Sequence, residues 1–111
     1  MSLSLERIER FTRILATSPD NVLARFSLSQ AYFDAGEYAK AIPEFRRVIE
    51  LKADWMLAYL LLARCFIEQG RPAEARPLLE HGLELAVKQG HQGPQADFKE
   101  LLASLQGTPP A

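Results

Sequence analysis

WMLAYLLLARCFIEQG, at residues 55–70, is a long apolar stretch in a chain of 111 residues. From Trp55 to Ile67 its only charged residue is Arg64. The stretch is too short for a membrane span, which needs roughly 20 apolar residues. It is also too long, and too rich in Leu and Ala, for a strand of about five or six residues. It therefore predicts a helix with more apolar surface than one packing neighbour covers.

The composition around this stretch is that of a globular protein, with 48% apolar and 24% charged residues. The length suits one domain with a modest core. The net charge of -1 provides no basic surface for nucleic acid or acidic lipid. A single cysteine, Cys65, excludes an internal disulfide and suits a reducing compartment. Because MSLSLERIERF at the N-terminus lacks an apolar signal segment, we expect a cytoplasmic location.

The remainder of the chain also has helical periodicity, and no alternation typical of strands. Helices are predicted at about 3–17, 21–35, 38–52, 55–69, 72–88 and 95–105. Asp20 or Asn21 is the expected N-cap of the second helix, and Asp54 that of the fourth. Pro77 and Gly82 predict a locally weak fifth helix.

The chain repeats itself, since the segment 22–55 aligns without gaps on the segment 56–89 with many matches. The identical pairs include Ala24 with Ala58, Leu28 with Leu62, Gly36 with Gly70, Ala39 with Ala73, Ala41 with Ala75, Pro43 with Pro77, Glu50 with Glu84 and Leu51 with Leu85. Such a repeat indicates a solenoid of stacked helical pairs. The sequence thus predicts one domain over 1–106, with a disordered tail at 107–111. Its parts are a leading half repeat at 3–19, repeats at 22–55 and 56–89, and a capping helix at 94–106.

These residues resemble the tetratricopeptide repeat family, whose pattern is W-x2-L-G-x2-Y, then A-x3-F, then P, within a unit of about 34 residues. At the positions of the pattern the two units have Leu28, Ser29, Tyr32, Ala41 and Phe45, and Leu62, Ala63, Phe66, Ala75 and Leu79. They depart from it with Arg25 in the Trp position, Ala53 and Val87 in the Pro positions, and Leu79 in place of the aromatic residue. The resemblance implies an all-α fold of about six helices, in which antiparallel pairs stack into a right-handed superhelix.

The resemblance also implies a protein–protein interaction module, an adaptor, scaffold or co-chaperone-like protein, rather than an enzyme. In this family the first helix of each unit lines a concave groove. The equivalent residues, which we call the groove face, are Leu23, Phe26, Gln30, Phe33, Asp34, Leu57, Leu60, Arg64, Ile67 and Glu68. They lack the Lys and Asn set with which some family members hold a C-terminal carboxylate. An apolar or amphipathic peptide with an acidic group for Arg64 is the expected ligand.

The division of the apolar stretch into two sets is a further prediction. We expect the groove-face residues Leu57, Leu60 and Ile67 to be more exposed than the packing residues, which are Ala58, Leu62, Cys65 and Phe66. Two other interpretations of the surplus face stay open. It lies under the chain's own termini or a second copy, or it is ordinary surface.

The alternative function is self-assembly into a homodimer or larger stack, through the groove face or through Leu5, Ile8 and Phe11 of the first helix. No catalytic, cofactor or metal site is predicted, since His81 and His91 lack the spacing of metal ligands. Neither nucleic acid nor a membrane is an expected partner.

Overall fold

The computed structural model describes residues 3–106, and this part of the chain contains six helices and no strand. The helices are α1 (Leu3–Thr17), α2 (Val22–Asp34), α3 (Tyr38–Leu51), α4 (Met56–Glu68), α5 (Pro72–Gln89) and α6 (Gln92–Gln106). The predicted all-α fold is confirmed. The prediction for residues 107–111 lies outside the described residues.

The helices pack in chain order, each against the next, and α2 also contacts α4. The described part measures 41 × 29 × 21 Å along its principal axes, so the helical pairs form an elongated stack. Apart from the contact between α2 and α4, these helix contacts join consecutive helices, as expected of a solenoid.

The two full units end their first helices with the same turn. Gly36 and Gly70 have φ values of 75° and 71°, a left-handed conformation that glycine adopts without strain. The amide after each glycine donates to the carbonyl four residues before that glycine, at 2.9 and 2.8 Å. This hydrogen bond is the Schellman closure of a helix C-terminus. The turn reverses the chain, so the second helix of each unit packs back on the first.

Several small residues of α2 to α5 lie in the packed interior between the helices. These side chains are fully buried: Ser29, Ala31, Ala41, Ala63, Cys65 and Ala75. Larger side chains there would separate the helices, because protein interiors have few voids to absorb added volume. The main core extends from α2 to α6, and a smaller cluster of Leu15, Ala24 and Leu28 joins α1 to α2.

Helix α5 continues unbroken through Pro77 and Gly82. At Gly82 a Cβ atom would overlap the ring of Phe98, which is fully buried and belongs to α6. The glycine thus lowers helix propensity but lets α6 pack closely on α5.

The two helix starts predicted from sequence differ in outcome. The side chain of Asn21 accepts a hydrogen bond from the Ala24 amide at 3.0 Å, which confirms it as the α2 N-cap. The prediction for Asp54 is wrong, since Trp55 is at the N-cap of α4 and makes no side-chain cap bond. The Trp55 amide bonds the Lys52 carbonyl at 3.2 Å, so Asp54 lies within a turn that precedes the helix.

Candidate functional site

The groove face follows one side of α2 and one side of α4. Leu23 and Leu57, at the same position of the two units, are 65% and 41% exposed. Asp34, Arg64 and Glu68 are also exposed. Half of the predicted set therefore lies on the surface, on two helices that contact each other.

Two residues of the groove face, Phe26 and Leu60, are buried, and for Leu60 the predicted exposure is wrong. Phe26 is 7% exposed because its ring stacks on Trp55, with centroids 4.6 Å apart, and meets the edge of the Phe45 ring at 6.0 Å. Leu60 is 6% exposed and belongs to the same core cluster. The contact between α2 and α4 leaves little room for solvent at these positions. These side chains underlie the face instead of projecting from it.

The remaining groove-face residues, Gln30, Phe33 and Ile67, are half-buried. The Phe33 ring packs edge-on against Tyr38 of α3, with centroids 5.6 Å apart. The packing residues of α4 are between 0% and 2% exposed. The predicted difference in exposure thus holds for Leu57 and Ile67 but not for Leu60.

The charged residues of the groove face differ in whether they form an ion pair. Asp34 accepts a bond from Arg7 of α1 at 2.8 Å, so this carboxylate is already paired. Arg64 has no ion-pair partner within the part of the chain that the structure describes. Its guanidinium is exposed and can take a carboxylate of another molecule.

Sequence reasoning missed two side chains next to this face. Leu61 is half-buried and lies one turn after Leu57 on the exposed side of α4, a spacing of four residues that helical periodicity alone reveals. Trp55 covers Phe26 through the ring stack described above. No local pattern predicts that contact, because residues 26 and 55 are far apart in the sequence and α3 lies between them.

Cys65 is fully buried, and His81 packs beside an aromatic ring. Burial raises the pKa of the Cys65 thiol from 9.0 to about 12, so this thiol stays protonated at neutral pH. The ring of His81 lies 4.9 Å from that of Tyr59. Among residues 3–106 no three His, Cys, Asp or Glu side chains are grouped as ligands of a metal ion.

No helix in the described range has the length and apolar character needed to cross a membrane.

The N-terminal helix divides its apolar residues between packing and surface. Ile8 and Phe11 pack against the small cluster that joins α1 to α2. Leu3 and Leu5 are 77% and 53% exposed. Of the three residues predicted for self-assembly, only Leu5 is largely free.

Comparisons with known proteins agree with this architecture. One tetratricopeptide repeat model matches residues 33–105, and a second matches residues 8–55. The solution structure of a Bordetella parapertussis protein is similar, with a TM-score of 0.79 and 27% identity over 96% of this chain and 89% of that one. The crystal structure of a tetratricopeptide repeat domain protein from Salinibacter ruber has a TM-score of 0.74 and 19% identity, over 80% of this chain and 99% of that one. The comparison with curated proteins finds no match. On these grounds the chain belongs to the tetratricopeptide repeat family.

Proposed function

We propose that the groove face binds an apolar or amphipathic peptide segment of a partner protein. Tetratricopeptide repeats are generally protein–protein interaction modules. The observation that carries the proposal is the exposure of Leu23 and Leu57 at one position of two successive units. A row of apolar side chains on neighbouring first helices is the kind of surface on which a peptide lies in an extended or helical form.

The exposed leucine surface supplies part of the binding free energy. Together Leu23 and Leu57 expose about as much as one whole leucine side chain. Burying one such side chain contributes about 1.5–3 kcal/mol. This amount alone gives weak association, so the ligand must gain further contacts from the half-buried Phe33 and Ile67 and from Arg64.

Arg64 supplies the polar part of recognition. It is the exposed cation of the face, and its hydrogen bond with a ligand carboxylate is charge-assisted. A ligand with an acidic residue beside its apolar side chains is therefore preferred over a basic one. Such a ligand also avoids leaving the guanidinium covered and unpaired.

The test uses peptides selected for binding to this chain from a displayed peptide library. Their affinity is measured by fluorescence anisotropy for the wild type and for the double variant Leu57→Glu/Arg64→Glu. Both positions are exposed, so the variant is expected to keep its helical circular dichroism. Leu60→Glu is unsuitable because it places a carboxylate in the core.

We expect the double variant to bind at least about tenfold more weakly, because it loses apolar contact and reverses a charge. The matched control is Lys40→Glu, a charge reversal at an exposed residue of α3 outside the groove face. An unchanged affinity of the folded double variant contradicts the proposal.

Self-assembly is a second candidate function, which the exposure of Leu3 and Leu5 favours. Sedimentation velocity at micromolar concentration tests it. A concentration-dependent dimer that Leu5→Glu dissociates supports a contact through α1. A monomer at every concentration counts against it.

A further inference from the structure

The two full units differ where the second helix of a unit faces the first. In the first unit, Arg25 donates to the Glu44 carboxylate at 2.7 Å, and both side chains are largely buried. The equivalent residues of the second unit are Tyr59 and Leu78. An ion pair of the first unit is thus replaced by two apolar surfaces in the second.

The replacement preserves another contact of the same residue. Arg25 donates to the Pro19 carbonyl at 2.9 Å, and the Tyr59 hydroxyl donates to the Ala53 carbonyl at 2.7 Å. Pro19 and Ala53 are also equivalent positions of the repeat. Both units therefore attach their first helix to the preceding turn in the same way, and only the ion pair to the second helix is missing from the second unit.

An open crevice of about 580 Å³ lies at this place in the second unit. Its walls are α3 and α5, and its floor is α4. The apolar lining includes Ile49, Leu62, Phe66, Pro77 and Leu78. This crevice lies beside the second helices of the units and does not include the groove-face residues.

Within residues 3–106, the charges around the crevice leave Arg46 without an ion-pair partner. Glu50 is bonded to Arg47 at 3.0 Å, and Glu74 to Arg71 at 2.7 Å. Arg46 makes no ion pair with any residue from 3 to 106, and its guanidinium lies 5.4 Å from the Phe66 ring centroid. The crevice therefore combines an apolar floor with an unpaired guanidinium at its edge.

We propose that this crevice binds a peptide segment of a partner protein that inserts one large apolar side chain and places a neighbouring carboxylate on Arg46. The volume accommodates an aromatic or leucine side chain, and each of the two acidic residues of the lining already pairs with an arginine of its own helix or of the turn before it. The inference is independent of the groove face, since α3 and α5 supply the walls.

The probes are three dipeptides, N-acetyl-phenylalanyl-glutamate amide and its glutamine and lysine analogues. Titration into the labelled chain is followed by NMR chemical-shift changes. We expect shifts of resonances from Leu62, Phe66 and Leu78, with the glutamate peptide bound about two- to fivefold more tightly than the glutamine one. The lysine peptide binds most weakly. Shifts confined to α2, or no shifts at millimolar peptide, overturn the proposal.

The variant Arg46→Gln removes the cation while leaving the apolar floor. The expected result is that the glutamate and glutamine peptides then bind equally. Arg10→Gln is the matched control, because Arg10 also lies over an aromatic ring, 5.0 Å from the Phe11 centroid, but on α1. A preference for glutamate that persists in Arg46→Gln contradicts the assigned role of Arg46.

The double variant Tyr59→Arg/Leu78→Glu copies the ion pair of the first unit into the second. Its arginine can keep the bond to the Ala53 carbonyl, as Arg25 does at Pro19. We expect the crevice to close and the crevice shifts to disappear while circular dichroism stays helical. Unchanged binding by the folded variant overturns the proposal. If the variant does not fold, the comparison of peptides with Arg46→Gln still tests the proposal.

Discussion

The substitution Gly82→Ala distinguishes helix propensity from packing, because the two predict opposite signs. Alanine in a helix interior is more favourable than glycine by about 1 kcal/mol, so propensity alone predicts a more stable protein. The packing of Phe98 against Gly82 predicts a less stable protein. An added Cβ overlaps the Phe98 ring, and a further ring atom, Cδ1, lies at 3.1 Å from it.

The expected net change follows from these two contributions. Phe98 is fully buried, so its ring cannot move aside without displacing α6. Overpacking of a core by a methyl group costs about 1–3 kcal/mol. Because two atoms of the Phe98 ring overlap the added Cβ, the upper part of that range applies, about 2–3 kcal/mol. After the gain in propensity of about 1 kcal/mol, Gly82→Ala should lower the free energy of unfolding by about 1–2 kcal/mol.

Urea denaturation followed by circular dichroism measures this change. Gly93→Ala is the matched control, since Gly93 also lies in a helix and a Cβ there meets nothing within 4 Å. We expect the control to be neutral or slightly stabilising. The double variant Gly82→Ala/Phe98→Leu should recover part of the loss, because the smaller side chain makes room for the methyl group. A Gly82→Ala protein as stable as the wild type, or more stable, refutes the packing argument.

Three other outcomes are expected. Asn21→Ala removes the α2 cap bond and should cost about 1 kcal/mol in urea denaturation, whereas a null effect would exclude a capping role. Glu44→Ala leaves the guanidinium of Arg25 without its carboxylate and should cost about 1–3 kcal/mol, while Glu44→Gln should cost less; equal losses contradict this. Burial raises the pKa of the Cys65 thiol to about 12, whereas in the unfolded chain the thiol ionises near pH 9.0. Its contribution to stability is therefore complete below pH 9.0 and is lost as pH rises from 9.0 to about 12. The stability advantage of the wild type over Cys65→Ala should shrink by about 1.4 kcal/mol per pH unit in this range. A difference independent of pH between 8 and 11 contradicts the burial of the thiol.

Most of the helical architecture follows from the repeat in the sequence. The alignment of the two units pairs Gly36 with Gly70, and the structure gives both the same left-handed turn. The small residues of the pattern, such as Ala41 and Ala75, are fully buried. These features are local or repeat at a fixed spacing, so one sequence is enough to find them.

The features that could not be predicted depend on contacts between residues far apart in the sequence. Phe26 is apolar and periodic, but its exposure depends on whether Trp55 folds over it, and these residues are separated by the whole of α3. Leu60 is buried because α2 and α4 touch, which depends on how closely the helical pairs stack. For the same reason the sequence offers no purpose for Gly82, which becomes clear only with Phe98 beside it.

The sequence evidence for the crevice lies in positions at which the two repeats differ. The alignment of units pairs Arg25 with Tyr59 and Glu44 with Leu78. Each replacement alone looks like ordinary variation in a repeat. Only the structure shows that Arg25 and Glu44 bond each other, so that their joint replacement removes an ion pair and leaves apolar walls.

The measurement that tests the groove-face proposal most directly is cross-linking of a library-selected peptide that carries benzoylphenylalanine at its central apolar position. After irradiation, mass spectrometry identifies the residues of the chain that are joined to the peptide. The account predicts cross-links to Leu23, Leu57 or Ile67 on α2 and α4, and their loss in Leu57→Glu/Arg64→Glu. Cross-links that lie only on α1, α3 or α5 would contradict it.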